Sequence, residues 1–421
     1  MHGFGLDRRS LGAATIVVLT LGAACGRGST REETTSHEEH GDVYMQGQPE
    51  EVTPEAIAAA RSDATWRQVV QLDTATLRDS AGSPEQWEQI TSESVNGSPM
   101  HVPLYGDVAG PSVLRLQVLL DRAMFSPGII DGRWGGNTEK ALYWFQLRER
   151  LPATARLDQA TFERLAQLGG NPREIARQHQ LSAEDVAGPF IDLPPLKGDA
   201  IYQVAKQPCT CYESLGEKLS EMFHVTPEVL AKLNPETSID SLKAGDRIWV
   251  PNVRDPAAPP TGAVAQLVVS DRGRYLHAVD SAQRILYHFP TTVGASYDPS
   301  PSGNYRVTTI KENPIWHFQP DIIEKVPDHK PDARIPAGPN NAVGVVWMAL
   351  SVPHYGIHGT NAPETIGYTS SAGCVRLTNW DALFLSKRIQ PGVRVAFRDT
   401  RGEAGTASTP APTSGEAPAR R

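Results

Sequence analysis

At 421 residues the chain exceeds one ordinary domain and predicts roughly two to four folded units. It is 39% apolar and 21% charged, enough for buried cores, while 34 prolines and 36 glycines predict many connections. A formal charge of −8, with no basic run, argues against a nucleic-acid binder.

Residues 1–25 read as an export signal. Arg8 and Arg9 form a positive start, and Leu11–Ala24 is an apolar run too short to span a bilayer. The run ends in LGAAC, which resembles a bacterial lipoprotein cleavage site with Cys25 as the lipidated residue and a membrane anchor as the consequence. Gly22 stands where such a site usually has a branched aliphatic residue, and a cleaved signal with an incidental cysteine is the alternative. The other cysteines are Cys209, Cys211 and Cys374, too few for a disulfide framework. Cys209 and Cys211, one residue apart, are placed to pair in an oxidising compartment. No Cys or His pair nearby completes a zinc site, and no cofactor is expected. A lone Cys374 in an exported chain points to chemistry.

Residues 26–106 follow as a polar tether and linker, with helical patterning only around EAIAAARSDATWRQVV. Over residues 107–169, Val113, Leu116, Leu119 and Leu120 share a helical face. SPGIIDGRWGG is a turn-rich loop, and Thr138 is a candidate cap for a second helix with Leu142 and Phe145 inward. Asp158 opens a third, with Phe162, Leu165 and Ala166 on one side. The pattern predicts a small three-helix bundle. The leucine-rich helix, the IDGxxGxxT loop and the AxxxFQ helix resemble the peptidoglycan-binding helical domain of wall enzymes.

Residues 198–253 predict a strand at Ile201–Val204, a helix over Ser214–Phe223, a second helix with Pro227 at its first position, and a closing strand in DRIWVP. This β-α-α-β order, with LNP and LKAGDRIWVP, resembles a LysM glycan-binding module. KQPCTCYESL stands where such modules carry a GDTL-type turn. Residues 263–398 are strand-rich (AQLVVS, RYLHAVD, RILYHFP, VGVVWMALS, GVRVAFR) and predict an antiparallel β-sandwich or barrel-like domain. Residues 399–421 are a Pro/Ala/Ser/Gly-rich tail expected to be disordered. The fold class is thus multidomain: a three-helix bundle, a LysM-like module and a mainly-β catalytic domain.

A cysteine nucleophile needs a thiolate or a base close enough to make one, and imidazole is the usual base. A strand ending in IHG and returning through a loop to SAGC would bring His358 and Cys374 together. Gly373 leaves room for an acyl group, and Arg376 is placed to hold a carboxylate. IHGTN, IG and SAGCVRL, with SPSGNYRV, NPIWHF and IPAGPNNAVG upstream, resemble the L,D-transpeptidase catalytic domain of bacterial wall enzymes.

That resemblance implies Cys374 as nucleophile, His358 as general base and the Gly359 carbonyl as the group orienting the imidazole. It implies that Ser371, Gly373 and Arg376 form the substrate side of the site. Ala372 departs from the family, many of whose members have His there. The implied partner is peptidoglycan, a stem tetrapeptide donor with an amine acceptor or a wall-linked protein. Two rival readings share much of the pattern: a carboxypeptidase that uses water, and a non-catalytic wall-anchoring protein.

Overall fold

The computed structural model describes residues 42–44, 53–61, 65–72, 87–106, 108–296, 298–320 and 330–399, all within the compact unit Glu38–Arg421. The expected export signal, Cys25 and the C-terminal tail lie outside the described residues. No helix among the described residues is long and apolar enough to cross a membrane.

Strand β1 (Asp42–Tyr44) and helices α1 (Pro54–Arg61), α2 (Thr65–Val69) and α3 (Ser92–Gly97) come first. The leucine and phenylalanine spacing then gives α4 (Pro111–Arg122), α5 (Gly136–Arg148) and α6 (Gln159–Leu168). Their inward residues Val113, Leu116, Leu119, Leu142, Phe145 and Leu165 are fully buried. Asp158 caps α6, accepting from the Thr161 N–H at 2.7 Å. Thr138 does not cap α5, which begins at Gly136; its hydroxyl lies inside the first turn and accepts from Gln117 Nε2 at 3.1 Å. Gln117 is held in place because its Oε1 also secures the IDG loop, accepting from Asp131 and Gly132 N–H at 3.2 and 2.8 Å. Residues 87–106, expected as linker, add Ile90, Val95 and Leu104 to the same core. Their apolar residues are too sparse to show a period, so only tertiary contact reveals their burial.

Strand β2 (Ala176–Gln180) opens the next module. The expected strand at Ile201–Val204 is instead a single helical turn, α7 (Ile201–Val204). Four apolar-rich residues fit either period, and the helical one wins because it sets Ile201 and Val204 on one buried face. Helices α8 (Leu215–Met222) and α9 (Pro227–Leu233) follow, capped by the Ser214 and Thr226 hydroxyls. Strand β3 (Arg247–Pro251) pairs antiparallel with β2, Ala176 opposite Pro251 and Gln180 opposite Arg247. With α7 in place of the expected strand the order is β-α-α-α-β, and the first strand lies well upstream of the one expected. Cys209 and Cys211 are disulfide-bonded, and Thr210 between them docks on the sheet domain through Ala337 and Asn340.

The remaining elements are β4 (Gln266–Ser270), β5 (Tyr275–Val279), β6 (Ile285–Pro290), β7 (Val293–Gly294), β8 (Gly303–Glu312), β9 (Ile315–Phe318), β10 (Ala333–Ile335), β11 (Val346–Leu350), β12 (Gly356–His358), β13 (Ser370–Ser371), β14 (Val375–Arg376), α10 (Asn379–Ser386) and β15 (Arg394–Arg398). One sheet runs β14-β12-β11-β8-β15-β4-β5-β6. The region is mainly β, as expected, but it is a mixed sheet rather than an antiparallel sandwich. Strands β12 and β14 are parallel, as are β4 and β15. Parallel pairs need long returns, and the 359–374 loop supplies the one between β12 and β14. Leu267, Leu276, Phe289, Met348, Ile357 and Val375 form its core. Arg254, buried, ties the sheet domain to the bundle by pairing with Asp121 of α4 at 2.9 Å and with Asp381 of α10.

Candidate active site

His358 ends β12 and Cys374 immediately precedes β14. In the parallel register Ile357 faces Val375 and His358 faces Arg376. Side chains alternate along a strand, so His358, Cys374 and Arg376 all lie on one face, with Cys374 diagonal to His358. The cysteine turn is built locally. The Ser371 hydroxyl donates to the Cys374 carbonyl at 2.6 Å, and Gly373 has φ +88. A Cβ at 373 would lie 2.5 Å from the Tyr355 ring, so glycine is required twice over. Main-chain bonds between Arg376 and Thr292, at 2.8 and 3.1 Å, fix β14 from its other side.

The imidazole is equally constrained. His358 Nδ1 lies 2.7 Å from the Gly359 carbonyl, which can only accept, so Nδ1 carries the proton. Nε2 is buried, has no hydrogen-bond partner and presents its lone pair. On β11, directly opposite, Trp347 stacks on the ring with centroids 5.3 Å apart and planes at 25°. Burial, aided by the Arg376 charge, pushes the His358 pKa down to about 3, against the pull of the Gly359 and Val343 carbonyls. Burial likewise pushes the Cys374 thiol up to about 12, against the Gly356 N–H and the Arg376 charge, which favour the thiolate. Cys374 is the free cysteine among the described residues, 2% exposed, and its thiol donates to the His354 carbonyl at 3.7 Å. It is not hydrogen-bonded to His358 in this structure.

The six residues singled out around the HG and SAGC motifs thus gather in one place, whereas Cys25 lies outside the described residues. The Ser371 hydroxyl is committed to the turn rather than turned to a substrate. Three further neighbours carried no sequence signal of a role. Trp347 reads as core, and Asn379 reads as the start of a helix. Glu221 belongs to another module. Asn379 Oδ1 accepts from the Val345 and Thr360 N–H at 3.2 and 3.1 Å, beside the Gly359 carbonyl that holds the imidazole. Among the described residues no group of His, Cys, Asp and Glu is arranged to hold a metal ion.

A thiol sharing a strand-pair face with a neutral imidazole whose open nitrogen can take a proton has the make-up of a nucleophile and its base. The L,D-transpeptidase catalytic domain model matches residues 265–396, and a peptidoglycan binding domain model matches residues 109–165. A Bacillus licheniformis protein named as the L,D-transpeptidase YkuD is 30% identical over 43% of this chain and 92% of its own length. An L,D-transpeptidase of Fuscovulum blasticum is 39% identical over 29% of this chain and 69% of its own. The chain belongs to the L,D-transpeptidase family. A solved L,D-transpeptidase fragment from Xylanimonas cellulosilytica aligns with 71% of this chain and 99% of its own at 14% identity and a TM-score of 0.31, too loose a likeness to bear on the fold.

Proposed function

We propose that the chain is an exported L,D-transpeptidase that crosslinks peptidoglycan, or attaches a protein to it, through a Cys374 acyl-enzyme. The observation that carries this reading is the buried His358 Nε2 lone pair, left open while Nδ1 is pinned by Gly359. In the first step the thiol exchanges the His354 carbonyl for His358 Nε2 and gives up its proton there. The sulfur attacks the carbonyl of the third stem residue, a diamino acid. The C–N bond to the terminal D-alanine breaks, and the leaving amine takes the proton back from His358. An amine acceptor then attacks the thioester, losing its proton to Nε2, and the thiolate leaves. Arg376 assists by favouring the thiolate, while Ser371 and Gly373 hold the turn that presents it.

The match of residues 109–165 supports peptidoglycan as partner and the cell envelope as location. Lipidation at Cys25 would place the enzyme at a membrane, and loss of membrane association in Cys25→Ala checks that part. The central test is mass spectrometry of the chain incubated with disaccharide-tetrapeptide, beside Cys374→Ala. A crosslinked dimer lacking one D-alanine, absent from the control, is expected. Free tripeptide alone would make the protein a carboxypeptidase, and no product from either would leave a wall-anchoring protein.

A further inference from the structure

Helix α8 of the second module and the loop that follows the imidazole meet at one side chain, Asn379, which is 2% exposed. Its amide is fully committed. The oxygen accepts from Val345 and Thr360 N–H, at 3.2 and 3.1 Å. The nitrogen donates to Glu221 Oε1 and Oε2 at 3.1 and 3.0 Å and to the Pro339 carbonyl at 3.1 Å. The amide is therefore oriented by donors on one side and acceptors on the other. It is also pressed against Gly359, where a Cβ would come within 2.1 Å of Oδ1. Gly359 is the residue whose carbonyl holds the His358 Nδ1 proton. Glu221 stands at the far end of this run of contacts, and its Oε1 also accepts from the Tyr212 hydroxyl at 2.8 Å.

We propose that Glu221 is a positioning residue for the transpeptidase reaction. Reaching across from the second module, it sets the Asn379 amide, and through it the Gly359–Thr360 backbone and the Nδ1–H tautomer of His358. This inference rests on the reading of His358 as the base. It gives the second module a part in the chemistry besides any contact with glycan. The physical requirement is an acceptor at 221. A glutamine there fits the space but places an N–H₂ against the Asn379 N–H₂, since both oxygens of Glu221 face that nitrogen. The amide is then driven to flip or withdraw, and its flip would turn a donor toward Val345 and Thr360 N–H.

The test uses the full chain with ¹⁵N-labelled histidine, acylated by a carbapenem under single-turnover conditions. Four variants are compared with the parent at about pH 8.5, where the raised Glu221 carboxyl is ionised and can only accept: Glu221→Gln, Asn379→Asp, the pair combined, and His358→Ala. Glu221→Gln is expected to slow acylation about ten- to a hundredfold, part of the roughly 10²–10⁴ that a positioned base supplies. The initial non-covalent affinity should not change, and the His358 ¹⁵N signals should move toward the Nε2–H tautomer. Asn379→Asp sets two carboxylates face to face and should do the same. In the combined variant the new amide at position 221 can donate to the new carboxylate at position 379. It should therefore recover severalfold over either single change, whereas a merely structural defect would compound. Glu221→Gln with the parent's acylation rate and tautomer would overturn the proposal, as would a combined variant slower than both singles. Full activity in His358→Ala would instead remove the base reading, and the tautomer signal would still judge Glu221.

Discussion

A thiol and an imidazole buried together hold each other neutral at rest. With Cys374 pushed up to about 12 and His358 down to about 3, neither carries charge between those limits. In the proposed reaction the thiolate would then form during acylation, by transfer to Nε2, instead of waiting as half of an ion pair. Iodoacetamide labelling of Cys374 in the native chain should stay far slower than in the unfolded chain from about pH 6 to about pH 9, where an ordinary thiol ionises. Fast labelling with a plateau near neutral pH would show a preformed thiolate and refute this account. A second prediction concerns Gly359. A methyl there meets Asn379 Oδ1 at 2.1 Å, so Gly359→Ala must evict the amide that supports the base. It is expected to cost about 1–3 kcal/mol of stability, as overpacking does, and at least about tenfold in acylation rate. A parent-like melt and rate would mean the loop yields freely and does not hold the imidazole.

Between elements, the decisive contact is the buried clamp of Asp121 on α4, Arg254, and Asp381 on α10. Asp121 and Asp381 are fully buried, and Arg254 is 3% exposed. Ser126 adds a hydroxyl to Asp381 at 2.8 Å, and the Arg254 N–H donates to Asp121 at 2.8 Å. Burial alone would raise the Asp121 carboxyl; Arg254, and after it His224, outweigh burial and hold it at about 2. Removing one partner strands two buried carboxylates, so Arg254→Ala should cost about 3–5 kcal/mol, read from urea unfolding. A loss below about 1 kcal/mol would show that water enters and replaces the guanidinium. The elements that meet here were foreseeable to different degrees. Helices α4 and α6 follow from a local period of leucines and a capping aspartate, and His358 and Cys374 stand out through their glycine-rich surroundings. Strand β2, by contrast, reads ARQHQ, with no apolar alternation to betray it, and Ile201–Val204 is too short to choose between periods. The Asn379–Glu221 contact joins residues 158 apart in sequence, and each alone looks like an ordinary helical polar residue. What local patterning encodes was readable; what only tertiary contact decides was not.

For the whole molecule, the buried histidines set how stability responds to acid. His277 and His288, on neighbouring strands β5 and β6, share a ring-nitrogen contact of 2.9 Å under the bundle, where Trp144 of α5 meets His277. Burial pushes His277 down to about 3 and His288 well below its ordinary value, the latter aided by His277 and Lys140; His358 is also near 3. A group whose folded pKa is depressed contributes stability that is complete above its unfolded value and is lost as pH falls toward its folded one. The histidine window therefore runs from about 6.5 down to about 3, and Asp121 extends the same sign of effect to about 2. Glu221 opposes them. Burial raises it to about 7, despite bonds from Tyr212 and Asn379, so its contribution is present below the ordinary glutamate range and fades as pH rises through about 7. Three strongly depressed histidines outweigh Glu221 and the lesser rises of Glu139, Glu213 and Glu364. Each is worth up to about 1.4 kcal/mol per pH unit inside its window, so the balance favours neutral over acidic conditions. Urea midpoints should therefore fall from about pH 6.5 to about pH 4.5 and change little between about pH 7.5 and about pH 8.5. Because the His277–His288 pair lies where bundle and sheet touch, protonation should loosen that junction, and limited proteolysis should cut between residues 170 and 265 faster in acid. A midpoint that holds steady or rises on acidification would mean that these imidazoles take up protons without unfolding, and the buried-neutral assignment would fall with it.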